Sequence, residues 1–283
     1  MATRNYPRHA IVPFGRELIV SGDLDPVYNA IVNSGWDMET RCRWMVAYWC
    51  FYHSGFACYA AERKDAHFWS LLAVAAENEQ QSPLYGRWPR GSERRHFRGK
   101  AGIAAIDHLS GLYKDPVDMV RFCAGPEKRK VMFEHVNKRA KTHRGFGDWM
   151  GFKIADMIDR CTPVEVDFDV AHLFMFKDPE KAATMVWTLN HPGEELVPRK
   201  QRLTEVVEHL VKEFSDLDAP PNGDRPVGIP EVETVLCKWK SHMNGHYPLY
   251  HDTREIRKQV LEWAPVTPLA GSFLDALPHG DLC

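Results

Sequence analysis

From Pro26 to about Ala76 apolar residues recur at helical spacing and are dense in aromatics, as in RCRWMVAYWCFYHSGFACYAA, which predicts two or three mostly buried helices. Before them, residues 1–25 mix strand-like and turn residues (AIVPFGRELIVSGDLDP) and read as an irregular N-terminal arm. Residues 82–100 break the pattern with Pro, Gly and positive charge, reading as an ordered loop. Helical periodicity resumes at about 101–113, 115–123, 126–141, 145–160, 179–190 and 199–215. Pro and Gly cluster in 219–230, a linker or strap, before one helix at about 230–243 and a Pro-punctuated tail. Alternating strand patterns are scarce, so the expected fold is mainly α. The expected organisation is an arm over 1–25, a helical domain over 26–215, and a linker with a C-terminal helical extension over 216–283 packed on the same domain.

Composition narrows the function classes. The chain has 283 residues, 44% hydrophobic and 26% charged, an ordinary globular mix long enough to bury a core. A formal net charge of −2 excludes coating of nucleic acid by bulk positive charge, so any polyanion site must be local. The seven cysteines form no CxxC pair, and Cys42, Cys50 and Cys58, eight residues apart in an aromatic stretch, read as buried free thiols. The odd count without a signal peptide predicts a reducing cytoplasm. The longest apolar runs are broken by Arg, His or Lys, so no membrane span is expected.

The sharpest local feature is HRGFGDWMGFKIADMIDRCTPVEVDFDVAHLF. Gly145 and Gly147 flank Phe146 ahead of a helical run, and a GxG turn at a helix start lets backbone N–H groups approach a phosphate. Asp167 stands 22 positions after Gly145. This stretch, about 131–176, resembles the helix-hairpin-helix DNA glycosylase superfamily, in which a GxG hairpin and its helix are followed by a loop that delivers a catalytic aspartate. The resemblance implies a glycosylase-like helical domain, with Gly145, Phe146, Gly147 and Trp149 at the DNA. Glycosylases that also cut the strand carry a lysine where this chain has Trp149, so a lysine-dependent lyase mechanism is not implied. Lys153, one turn later, reads as a helix-surface charge. Of the neighbouring acids, Asp167 is assigned to chemistry and Asp169 to a helix N-cap ahead of VAHLFMF.

A second feature is the run Arg87-Trp88-Pro89-Arg90-Gly91-Ser92-Glu93-Arg94-Arg95-His96-Phe97-Arg98-Gly99-Lys100, with six Lys or Arg and one His against one acid. Interleaved Trp, Pro, Gly and Phe imply a fixed shape, and arginine forks converging on one point suit a diphosphate or a nucleic-acid backbone. Arg63 could join them. Further on, CKWKSHMNGHY combines cations, amides and aromatics; Lys238 and His242 share a helix face at i, i+4, and Lys240 lies between them. That face could line a pocket or simply end a helix with favourable cations. A metal at His242 and His246 lacks a third ligand, and no metal or cofactor is expected.

Taken together, RWPRGSERRHFRG, the hairpin with Asp167, and CKWKSHMNGHYP resemble the α-glutamyl/putrescinyl thymine pyrophosphorylase family, the amino acid:DNA transferases of bacteriophages with hypermodified thymine. The resemblance covers about 25–260. It implies an enzyme acting on double-stranded DNA that carries pyrophosphorylated 5-hydroxymethyluracil. A free amine, such as the amino acid glycine, would displace pyrophosphate and form a C–N bond. On this reading Arg63, Arg87, Arg90, Arg94, Arg95, His96, Arg98 and Lys100 hold the diphosphate, and Lys238, Lys240 or His242 the amino-acid carboxylate. Asp167 either takes the amine proton or stabilises a cationic methylene. A duplex target must flip out or be taken single-stranded. A monofunctional DNA glycosylase and a non-catalytic helix-hairpin-helix DNA-binding protein share the hairpin and stay open alternatives.

Overall fold

The computed structural model describes residues 10–77, 97, 99–125, 129–169 and 177–278. Among them the fold is mainly helical, as the periodicity predicts, with one two-stranded parallel sheet. The chain divides into two compact units, residues 1–29 with 168–254 and 278–283, and residues 30–167 with 255–277. Two of the four divisions fall inside helices, α2 (Pro26–Asn33) and α13 (His251–Leu261).

The first unit is built on α1 (Ile11–Ser21), α10 (Lys177–Asn190), α11 (Arg199–Glu213) and α12 (Ile229–Met243). Within the arm expected to be irregular over 1–25, residues 11–21 form a helix. Ile11, Phe14, Leu18 and Ile19 bury one face of α1, and Pro13 is tolerated because an N–H in the first turn has no helical acceptor. Gly15 lets α1 approach closely, since a Cβ there would lie 2.5 Å from Phe214 and 3.0 Å from Val235. The strap expected at 219–230 is ordered. Ala219 N–H donates to the Arg225 carbonyl, and the Arg225 guanidinium grips Glu231 through two 3.0 Å bonds. Glu231, fully buried, also accepts from Gly228 N–H and so starts α12.

The second unit holds α3 (Met38–Phe51), α4 (Ser54–Ala61), α5 (Asp65–Glu77), α6 (Gly99–Leu112), α7 (Pro116–Ala124), β1 (Lys130–Met132), α8 (Phe133–Ala140), α9 (Asp148–Cys161), β2 (Glu165–Asp167) and α14 (Pro268–Ala276). Helix α3 is buried on every side from Cys42 to Phe51, so it is the axis of this unit. Asp37 caps it, accepting from Thr40 N–H at 2.7 Å, a bond that holds the Asp37 carboxyl below its ordinary range. Buried indoles find sulfur acceptors, Trp44 on Cys58 at 3.4 Å and Trp49 on Met157 at 3.1 Å. Cys42, Cys50, Cys58, Cys123 and Cys161 are buried and in no disulfide, and burial pushes Cys42 and Cys123 up to about 12.

The helix expected over 126–141 begins only at Phe133. Val131 is spent instead on β1, where it lies opposite Val166 with both side chains buried. The tail contains α13 and α14, which the prolines at 248, 265 and 268 concealed. No helix of the described residues is long and apolar enough to cross a membrane.

Candidate active site

Helices α8 and α9 pack on each other and are joined by a turn over 141–147. Gly145 has φ 91°, and a Cβ there would stand 2.7 Å from the Phe97 ring, so two constraints require glycine. Phe97 stacks on Phe146 at 5.3 Å. Phe146 is therefore buried and shapes the turn from inside. His143 ties the turn down, with Nδ1 2.9 Å from the Ala140 carbonyl and Nε2 2.7 Å from Tyr113 Oη. Burial pushes His143 below its ordinary value, so the neutral ring donates from Nδ1 and accepts from Tyr113. Gly147 differs from Gly145: its backbone is ordinary extended, it precedes α9, and no atom lies within 4 Å of where a Cβ would be. Its surroundings are open, and Lys141 and Arg144 beside it are exposed.

Asp167 closes β2, paired in register with Met132, while Lys130 pairs with Glu165. Val166 faces the core, and its N–H donates to Asp159 at 2.7 Å. Glu165 and Asp167 share the exposed side, because residues two apart in a strand point the same way. Asp169, two residues further on, lies beyond the end of β2. The segment Asp169 would cap, 170–176, lies outside the described residues. Lys130 Nζ is 2.7 Å from Glu165 and 3.9 Å from Asp167, and these two, Glu165 foremost, raise the lysine above its ordinary value.

Trp149 is half-buried in the first turn of α9, its ring 5.3 Å from Tyr52. Lys153 corrects the expectation of a surface charge: its side chain is 13% exposed and lies 3.3 Å from Asp156, itself buried with Arg160 3.5 Å away.

Of the basic run, Arg87, Arg90, Arg94, Arg95, His96 and Arg98 lie outside the described residues. Lys100 is exposed in the first turn of α6. Arg63 lies 3.6 Å over the Tyr59 ring, bonded to the Tyr59 carbonyl at 2.6 Å and to Glu62 at 3.2 Å.

The CKWKSHMNGHY cations serve mainly as struts. Lys238 is buried, and its three hydrogens have acceptors in the Asp23 carbonyl at 2.5 Å, Tyr247 Oη at 2.7 Å and Asp252 at 2.9 Å. Burial alone would lower its pKa, but Asp252, Asp23 and Asp25 outweigh it and hold it above the ordinary lysine value. The Asp23 carboxylate, fully buried, accepts from Tyr247 Oη, Tyr250 N–H and Thr253 Oγ1. His242 is buried against Phe14, its Nδ1 2.7 Å from the Tyr247 carbonyl. With these bonds in place, Lys238 and His242 do not present free donors to a substrate carboxylate. Lys240, partly exposed and paired with Asp178 at 2.8 Å, is the accessible cation of the motif. The helix ends before His246, with Gly245 at φ 73°, and among the described residues no group of three His, Cys, Asp or Glu side chains is placed to hold a metal.

Residues 19–246 match the amino acid:DNA transferase family. The chain belongs to that family. It is 45% identical over 291 aligned positions to a glycinyltransferase of Pseudomonas phage PaMx11, covering 98% of this chain and 99% of the relative. A putrescinyltransferase of Delftia phage PhiW-14 is 31% identical over 237 positions, covering 79% of this chain and 69% of the relative.

The matched span contains the hairpin, Asp167 and the basic run, so the features that carried the resemblance lie within the part that defines the family. In the transferase, the exposed side of β2 offers a carboxylate with a cation beside it, carried by a strand that packs directly on α9. Such a carboxylate can accept a proton from an attacking amine or face a developing positive charge. Reading the sequence alone missed Lys130 and Asp23. Lys130 sits in a segment that reads as helix, and nothing local marks a buried role for Asp23, whose carboxylate bonds residues more than 220 positions away.

Proposed function

We propose that this transferase joins glycine to a thymine-derived base in phage DNA, displacing pyrophosphate from 5-(pyrophosphoryloxymethyl)uracil. The observation that carries the reading is similarity along nearly the whole length of both chains to a phage glycinyltransferase. The glycine nitrogen forms a bond to the exocyclic methylene carbon, the carbon–oxygen bond to the diphosphate breaks, and the surplus ammonium proton leaves the nitrogen. Asp167 is the group assigned to that proton or to the charge building on the methylene, and the basic run 87–100 with Arg63 to the leaving diphosphate. The 141–147 turn, open at Gly147 and bordered by Lys141 and Arg144, is assigned to the flanking phosphates in the manner of a helix-hairpin-helix. The target nucleotide is taken out of the duplex.

The test is to incubate the protein with a duplex bearing the pyrophosphorylated base and either glycine or putrescine, then digest and weigh the nucleosides. A glycine adduct with one pyrophosphate released per adduct is expected. Release of a free base, or a putrescine adduct in preference to glycine, overturns the assignment.

A further inference from the structure

In the second unit five aromatic rings form an unbroken run. Phe273 stacks on Trp44 (5.6 Å, 22°), Trp44 on Tyr48 (4.7 Å, 19°) and Tyr48 on Tyr52 (4.4 Å, 29°), and Tyr52 meets Trp149 (5.3 Å, 49°). The run starts in the core, where Trp44 is wholly buried and Tyr48 is 5% exposed, and ends in two half-buried rings. The last of them, Trp149, is two residues beyond Gly147 in the first turn of α9.

Tyr52 holds this place at a cost. Its backbone is left-handed (φ 54°, ψ 38°), a region that bulky residues rarely adopt, and it serves as the C-cap of α3. Gly or Asn would end the helix there with less strain. What tyrosine adds is the ring, lodged between Tyr48 and Trp149. The strain is kept for the sake of a ring that stacks on Tyr48, meets Trp149 and stays partly accessible.

We propose that Tyr52 and Trp149 form the stacking site for the target nucleobase once it has left the duplex. This rests on the reading of the protein as an enzyme that acts on an extruded base. A base drawn from the helix loses two stacked neighbours, and aromatic rings replace them whatever the base's hydrogen-bonding pattern. The two rings meet at a tilt of 49° and both are partly exposed, so a pyrimidine would stack on the accessible part of this pair. Helix α9 packs against both α3 and β2, so the ring pair and Asp167 are borne by directly packed elements.

The experiment places 5-iododeoxyuridine at the target position of a duplex, irradiates the complex at long wavelength, and locates the crosslinked residue by mass spectrometry. A crosslink to Tyr52 or Trp149 is expected. One at another residue, or none at either ring, overturns the proposal. In parallel, Tyr52→Leu and Trp149→Leu raise the concentration of activated duplex giving half the maximal single-turnover rate by about tenfold, while Tyr52→Phe and Trp149→Phe stay near wild type. Leucine variants that fold and saturate as wild type does overturn it as well. Tyr52→Gly relieves the backbone while removing the ring, so a well-folded Tyr52→Gly protein that still saturates poorly separates stacking from stability. The crosslink requires no transfer reaction, so failure of the transferase reading and failure of this site are distinguishable.

Discussion

Lys238 and Lys130 each lie among acidic residues, and the surroundings of the two lysines differ. Lys238 is buried, its three hydrogens all taken, with Asp23, Asp25 and Asp252 around it. Lys130 lies on the exposed side of a two-stranded sheet, bound to Glu165 and merely near Asp167, with 56%, 57% and 48% of the three side chains in solvent. The first cluster is closed, so a substrate could enter only by breaking it. The second leaves carboxylate oxygens free to meet a ligand, and salt and water reach it. Similar residue types thus supply a strut in one unit and candidate chemistry in the other, and burial decides which.

The largest expected effect is on catalysis. Asp167→Asn keeps the volume and loses the charge, so the single-turnover rate falls by about 10²–10⁴ while duplex binding holds or tightens. The melting midpoint stays put, because Asp167 is exposed at a strand end. An unchanged rate would leave Asp167 as a structural residue and remove the contrast between the clusters.

Next comes the buried cluster. Lys238→Met leaves Asp23 and Asp252 without their cation and costs about 3–5 kcal/mol, read by denaturant unfolding. The sign with pH follows from the raised values of Lys238 and Tyr247. A raised folded value gives stability that is complete below the unfolded value and lost as pH rises through the folded one. Wild-type stability from this cluster is therefore flat through neutral pH and declines above about pH 10. In Lys238→Met the lysine's part of that decline is absent. A Lys238→Met protein as stable as wild type would show that the cluster is not a strut.

How far the two clusters could be read in the sequence follows from the range of their interactions. Local signals were legible: the Gly145 turn and the helices near 101–113, 145–160 and 230–243 all appear within a few residues of expectation. The spacing Thr253, Ile256, Val260, Trp263 that buries α13 was also present, masked by nearby prolines. Tertiary pairings were not legible. Val131 reads as helix until Val166 lies beside it, and Lys238 reads as a substrate cation until Asp23 and Asp252 surround it. The family resemblance placed the hairpin and Asp167 together, but whether a lysine is buried depends on residues distant in sequence.

The hairpin offers a smaller, paired test. Gly145→Ala must adopt φ near 91° and displace Phe97, costing about 1–3 kcal/mol of stability. Gly147→Val meets open space and an ordinary backbone, so its stability cost is under about 1 kcal/mol. Its affinity for every duplex should nevertheless fall, modified or not, since the side chain blocks backbone approach to phosphate. Equal effects of both changes on folding and on binding would dissolve the division between a turn packed at Gly145 and open at Gly147.

The smallest effect belongs to Lys130, and it probes the contrast from the exposed side. Lys130→Met removes a cation 3.9 Å from Asp167 without opening a cavity, so the unfolding midpoint should not move measurably. Lys130's value is raised by Glu165 and then Asp167, so any stabilisation it supplies is complete at neutral pH and lost only as pH rises past the ordinary lysine value. Its influence is electrostatic and passes through solvent, so it must be screened. With the duplex already bound, to set aside the salt dependence of association, Lys130→Met should change the single-turnover rate a few-fold at about 0.01 M salt. Near 1 M the difference should vanish, as the screening length shrinks from about 30 Å to about 3 Å. Lys130→Arg, which keeps the charge, should follow wild type at both. The Lys238→Met stability loss should persist across the same salt range, because a buried cluster is screened far less. A rate difference at Lys130 that survives high salt would mean that the ammonium is bound to something water does not reach, and the two clusters would then be of one kind.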